Sequence, residues 1–183
     1  MTSSGDVFYD YSSFDDERLR GIIKGWDGLG GYHGLLIRKC ALLAMGHSVL
    51  DVGCGLCHLF EGLQKINHLK KIDEYVGVEK NFFILGLAHE RYPDFKIVHG
   101  DIYNLSVLPM FDTVYAVGLY REEPRLEKGI VELLSHANRC VILTYFADVM
   151  GRVPKSLKIK DTSVEFVDHD IDGRLEIVRL WKH

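Results

Sequence analysis

Between Val49 and Cys57 the chain reads Val-Leu-Asp-Val-Gly-Cys-Gly-Leu-Cys, an apolar run that meets an acidic residue and breaks into a glycine turn. Behind it, His58-Leu59-Phe60-Glu61-Gly62-Leu63-Gln64-Lys65-Ile66 has helical spacing. Strand, glycine turn and helix in that order bring backbone N–H groups close to a small ligand, because glycine has no Cβ to hold the ligand off. From Ser48 onward, strand-like segments at 48–52, 75–79, 96–99, 113–118 and 140–146 alternate with helical ones at 58–66, 82–91 and 125–137. Pro124 suits a helix start. This alternation predicts an α/β fold, a doubly wound, mostly parallel sheet covered on both faces. The segments 162–168 and 175–181 flank Asp170-Ile171-Asp172-Gly173 and read as a terminal antiparallel β-hairpin.

Ahead of the sheet, residues 1–12 form a polar arm. Ser13 is placed to cap a helix beginning Asp15-Asp16-Glu17 and stopping at Lys24-Gly25. After the glycine-rich Trp26–Gly31 stretch, a second helix is expected from Tyr32 to Met45, closing at Gly46. The 183 residues suit a single domain. Its expected parts are N-terminal helices and a candidate lid (1–47), a cofactor-binding core (48–146), and a link with the hairpin (147–183).

A net charge of −4 weighs against a duplex-binding surface, so nucleic acid is not the expected partner. No apolar run approaches membrane-spanning length, and the polar start Met1–Asp6 does not read as a signal peptide. A cytoplasmic protein without a membrane partner is therefore expected. Four cysteines (Cys40, Cys54, Cys57 and Cys140) are too few for a disulfide framework and read as thiols.

In a doubly wound sheet the ligand lies outside the C-terminal ends of the strands, where strand order reverses. Asp51, Gly53, Cys54 and Gly55 form the first such end. Glu79, followed by Lys80, ends the second, where a carboxylate can accept two hydrogen bonds from a ribose diol. Asp101 after Val98-His99-Gly100 can accept from an exocyclic amine, with Ile102 beside it to pack on a flat ring. Asp112 opens the fourth strand, and Val117-Gly118-Leu119-Tyr120 leaves it.

Taken in order, Leu50–Gly55, Val78-Glu79, Gly100-Asp101-Ile102 and Phe111–Val114 resemble the class I S-adenosylmethionine-dependent methyltransferases over about residues 48–146. The resemblance implies a seven-stranded sheet whose last strand is antiparallel, with S-adenosylmethionine as cofactor. It implies Gly53 and Gly55 along the methionine portion, Glu79 on the ribose, Asp101 and Ile102 at the adenine, and Asp51 near the methionine amino group. Two departures stand out. Cys57 occupies a place where the family often has a third glycine, so a slightly wider turn is expected. Asp51 and Glu79 are also further apart than usual, with Asn67–Lys71 reading as a surface extension.

Methyl transfer is an in-line displacement, and holding the partners at attack distance supplies most of the catalysis. A base is needed only for a protonated nucleophile. Its candidates are Tyr120 and Glu122, beyond the fourth strand, and His33, for which packing of the N-terminal helices is an equal reading. No Asn/Asp-Pro-Pro-Tyr/Phe segment follows the fourth strand, which turns the expectation from nucleic-acid bases to a small-molecule acceptor. Two other functions are weighed: a non-catalytic cofactor-binding partner subunit, and an NAD-dependent oxidoreductase. The latter needs glycine where His58 stands. Cys54-Gly55-Leu56-Cys57-His58 also matches a haem-attachment pattern, but falls inside the strand–turn–helix unit that already explains it.

Overall fold

Each apolar segment from Ser48 onward becomes a strand of one sheet in the computed structural model, which describes residues 15, 17–18, 20–21, 32–65, 72–117, 123–146, 161–169 and 175–183. The strands are β1 (Ser48–Val52), β2 (Glu74–Glu79), β3 (Lys96–His99), β4 (Phe111–Val117), β5 (Ala137–Phe146), β6 (Thr162–His169) and β7 (Leu175–Lys182). Their order across the seven-stranded sheet is β3-β2-β1-β4-β5-β7-β6. The first five are parallel, while β7 runs antiparallel to both β5 and β6. Strand order reverses between β1 and β4, so the exit of β1, the glycine turn, opens onto the switch-point crevice.

Among the elements bounded within the described residues, four helices accompany the strands: α1 (Tyr32–Ala41), α2 (His58–Lys65), α3 (Phe82–Arg91) and α4 (Glu123–Ser135). Because side chains alternate along a strand, β1 sends Leu50 and Val52 to one face and Val49 and Asp51 to the other. Leu50 and Val52 join Val76, Val114, Val141 and Ile130 and Leu133 of α4 in one buried layer. Val49 joins Tyr75, Tyr115 and Ile142, covered by Leu36 and Cys40 of α1, Phe60 and Leu63 of α2, and Leu85 and Ala88 of α3. Gly62 lets α1 approach α2 closely, since a Cβ there would lie 2.8 Å from Ile37 Cγ2. Phe60 is wedged edge-on among Tyr75, Tyr92 and Phe95, which locks α2 onto β2 and the exit of α3.

Several boundaries differ from expectation. The second helix ends at Ala41 rather than Met45, because β4 captures the chain. Met45 N–H donates to Thr113 Oγ1 (2.9 Å) and Thr113 Oγ1 donates to Met45 O (2.7 Å). Gly46 follows with φ +75°, and an added Cβ would collide with the Asp112 carboxyl group. That carboxylate accepts from His47 N–H at 2.6 Å, a bond that holds it below the usual carboxylate range. Asp112 therefore fastens the N-terminal end of β4, the end away from the crevice. β5 begins at Ala137, three residues earlier than expected, across a register irregularity against β4. In the first helical stretch, Asp15 Oδ1 accepts from Arg18 N–H (2.8 Å), so Asp15 fills a capping role. Ser13, Trp26, the 67–71 extension, the 147–160 link and the 170–173 turn lie outside the described residues.

Candidate functional site

The glycine turn is hooked onto its neighbour strand through the backbone. Gly53 and Cys54 N–H both donate to Val78 O (2.8 and 3.0 Å), and Gly55 N–H donates to Glu79 Oε2 (3.0 Å). Gly53 (φ +75°) and Gly55 (φ +54°) adopt the left-handed backbone this path requires. Space beside Gly53 is open: a Cβ there would meet nothing within 4 Å. Beneath the turn Cys54 is buried and its Sγ rests over Gly77, where a Cβ would lie 2.9 Å away.

Cys57 was expected to widen the turn. It keeps the turn tight by adopting φ +60° itself, with its N–H donating to Cys54 O at 2.8 Å. A non-glycine residue in that region carries a penalty of about 1–2 kcal/mol, set here against complete burial of the thiol. All four cysteines are free and buried.

At the end of β2, Glu79 is buried, yet each of its carboxylate oxygens holds one backbone N–H: Oε1 that of Asn81 (2.8 Å) and Oε2 that of Gly55. Burial pushes its pKa up, and the backbone donors oppose that by favouring the charged form. The Lys80 N–H also favours the charged form, and since an ionised carboxylate has about four acceptor positions, capacity remains for a further donor. Asn81 then caps α3, its Oδ1 accepting from Phe83 and Ile84 N–H (2.9 and 3.1 Å), and so fixes the chain leaving Glu79.

The third strand end is tied to the second. Gly100 N–H donates to Glu79 O (3.1 Å), and His99 Nε2–H donates to Lys80 O (3.0 Å). Lys80 Nζ pairs with Asp101 Oδ2 at 3.0 Å, while Asp101 Oδ1 accepts from Tyr103 N–H at 3.3 Å. Phe82, 71% exposed, stacks flat on the His99 ring with centroids 3.8 Å apart. Ile102 is buried, its Cδ1 close to Gly129 of α4. Val117, half-buried, ends β4 opposite Thr144.

Asp51 lies one layer deeper, 2% exposed. Tyr75 Oη donates to its Oδ2 at 2.6 Å. Desolvation raises the Asp51 pKa from 3.8 to about 7, the Tyr75 bond opposing the rise and the charge of Glu79 adding to it.

Asp51, Gly53, Cys54, Gly55, Glu79, Lys80, Asp101 and Ile102 are thus brought to the exits of three adjacent strands, with Val117 at the exit of β4 on the far side of β1. Tyr120 and Glu122 lie outside the described residues, and for His33 only its backbone place in α1 is described. Tyr75, Asn81 and His99 escaped the sequence reading. The available signal for Tyr75 was strand parity: it lies four residues before Glu79, on the same face of β2.

No family model matches the sequence, and no curated protein matches it. Solved structures do. Magnesium protoporphyrin IX methyltransferase from Synechocystis PCC 6803 with bound S-adenosylmethionine aligns at TM-score 0.70 and 15% identity, over 94% of this chain and 99% of that one. The plantazolicin methyltransferase BpumL, in complex with a pentazolic desmethylplantazolicin analog and S-adenosylhomocysteine, aligns at 0.65 and 13%, over 94% and 93%. DesVI of Streptomyces venezuelae aligns at 0.57 and 19%, over 86% and 67%. The architecture is therefore the class I methyltransferase fold, reached at identities where the likeness is one of fold. Among the described residues no helix is long and apolar enough to cross a membrane.

Proposed function

We propose that this chain is an S-adenosylmethionine-dependent methyltransferase acting on a small-molecule acceptor. The observation that carries the reading is Glu79, a buried carboxylate at the β2 exit that is held by backbone N–H groups of Gly55 and Asn81 and keeps acceptor capacity for a ligand hydroxyl. The open space at Gly53 fits a ligand laid along the turn. Asp101 is placed to accept from an exocyclic amine, sharing its carboxylate with Lys80. The acceptor class draws support from a structural neighbour named for magnesium protoporphyrin IX, while a second is named for plantazolicin.

When bound, the cofactor supplies an electrophilic methyl on a sulfonium. The chain's own contribution is binding, orientation and exclusion of water. Glu79 and the Gly53–Gly55 backbone fix the ligand's long axis, and Val117 ends β4 beside that crevice. Proximity of this kind accounts for up to ~7–11 kcal/mol of barrier lowering. Tyr120, Glu122 and His33 are the residues proposed to receive a proton where the acceptor carries one.

Calorimetric titration with S-adenosylhomocysteine and NAD tests the reading. One equivalent of the former is expected to bind, and NAD is not; Glu79→Ala is expected to weaken binding about tenfold or more, the loss of charge-assisted hydrogen bonds. Binding of NAD with no binding of S-adenosylhomocysteine would overturn it.

A further inference from the structure

A carboxylate buried beside the ligand turn poses a physical problem. A charge removed from water must be paired, hydrogen-bonded or neutralised by a proton. Among the described residues, the titratable groups around Asp51 are Cys40 from α1, Cys54 from the turn, Tyr75 and Glu79 from β2, and Tyr115 from β4. Each is neutral or anionic near pH 7. The group that holds Asp51 in place is the Tyr75 hydroxyl, at 2.6 Å on Oδ2.

We propose that Tyr75 is a positioning residue of the cofactor site: its hydroxyl holds Asp51 as a carboxylate, so that the buried charge is kept for the α-ammonium group of the ligand. This rests on the cofactor reading above. The ligand then supplies a cation to meet the buried charge, and Tyr75 decides how readily Asp51 is ionised to meet it. Tyr75 is well built for the task. Its ring is clamped by Phe60 edge-on (5.3 Å) and by Phe95 (6.5 Å), so the hydroxyl has little freedom to leave Asp51. Burial raises the carboxyl to about 7 even with this bond in place, and losing the bond raises it further.

The test is the ratio of S-adenosylhomocysteine affinities of wild type and Tyr75→Phe, measured by calorimetry from pH 6 to pH 9. Phenylalanine keeps the ring packing, and the ligand's own titration cancels in the ratio. Wild-type binding is expected to weaken as pH falls through about 7. In Tyr75→Phe that midpoint is expected to move up by about one to two pH units, the effect of a hydrogen bond to a charged group. The variant then binds about 5- to 50-fold more weakly at pH 7, and the gap narrows toward pH 9. Proton release on binding at pH 7, read from two buffers of different ionisation enthalpy, should be larger for the variant. Asp51→Asn should flatten the profile. A ratio constant with pH, including a ratio of one, overturns the assignment while leaving the cofactor reading standing. Failure of the wild type to bind at any pH overturns both.

Discussion

Replacing Asp51 by asparagine separates what the residue does for binding from what it does to stability. The amide keeps an oxygen to accept from Tyr75 but removes the titration. In the folded chain the carboxyl is raised from 3.8 to about 7, so between those values the folded state binds a proton that the unfolded state has released. Stability must then fall as pH rises across that window, because the native state holds the extra proton. At 1.36 kcal/mol per unit, the penalty is about 2 kcal/mol at pH 5 and about 4 kcal/mol at pH 8. Asparagine escapes it, so the stability of Asp51→Asn relative to wild type should improve by about 2–3 kcal/mol from pH 5 to pH 8. For a chain of this size that is roughly 4–12 °C in the relative melting temperature. Differential scanning calorimetry of the ligand-free proteins reads it directly. A difference between the two proteins that does not change with pH would refute the reasoning, since nothing else in the substitution has that pH dependence.

Other consequences concern the turn. At Cys57 the usual preference should reverse: glycine normally costs about 0.5–1 kcal/mol relative to alanine, but at φ +60° Cys57→Gly should be more stable than Cys57→Ala by about 1 kcal/mol in urea unfolding. A more stable alanine variant would contradict the left-handed conformation. Gly77→Ala places a Cβ 2.9 Å from Cys54 Sγ and 3.3 Å from Ile97 Cγ2, and should destabilise by about 1–3 kcal/mol. Adding Cys54→Ala should recover part of that loss, and strict additivity of the two would show that the sulfur is not the obstacle. Asn81→Ala removes the acceptor for Phe83 and Ile84 N–H and should cost about 1 kcal/mol, seen as a lower denaturant midpoint.

Much of this fold was legible because apolar runs of strand length alternated with helical spacing. Segments 48–52 and 96–99 match β1 and β3 residue for residue, and 82–91 matches α3. What failed at the boundaries failed for tertiary reasons. Helical periodicity continues past Ala41, but Thr113, some seventy positions away, captures Met45. No local pattern encodes that bond. The strand-end carboxylates Glu79 and Asp101 were legible because each follows an apolar run, and both fall at the crevice. Asp112 looked equivalent in sequence and serves the other end of the sheet, since it opens its strand instead of closing it. For Tyr75 parity gives only the face of β2; its importance comes from facing Asp51 across two paired strands. Cys57 shows a non-glycine residue taking up left-handed backbone within the glycine turn.

The measurement that bears most directly on the whole account is an amide NMR titration of the ¹⁵N-labelled chain with S-adenosylhomocysteine. Shifts saturating at one equivalent and concentrated on Gly53–Gly55, Glu79–Asn81 and Gly100–Ile102 are the expected result. An unchanged spectrum, or shifts confined to residues away from these three strand ends, would contradict it.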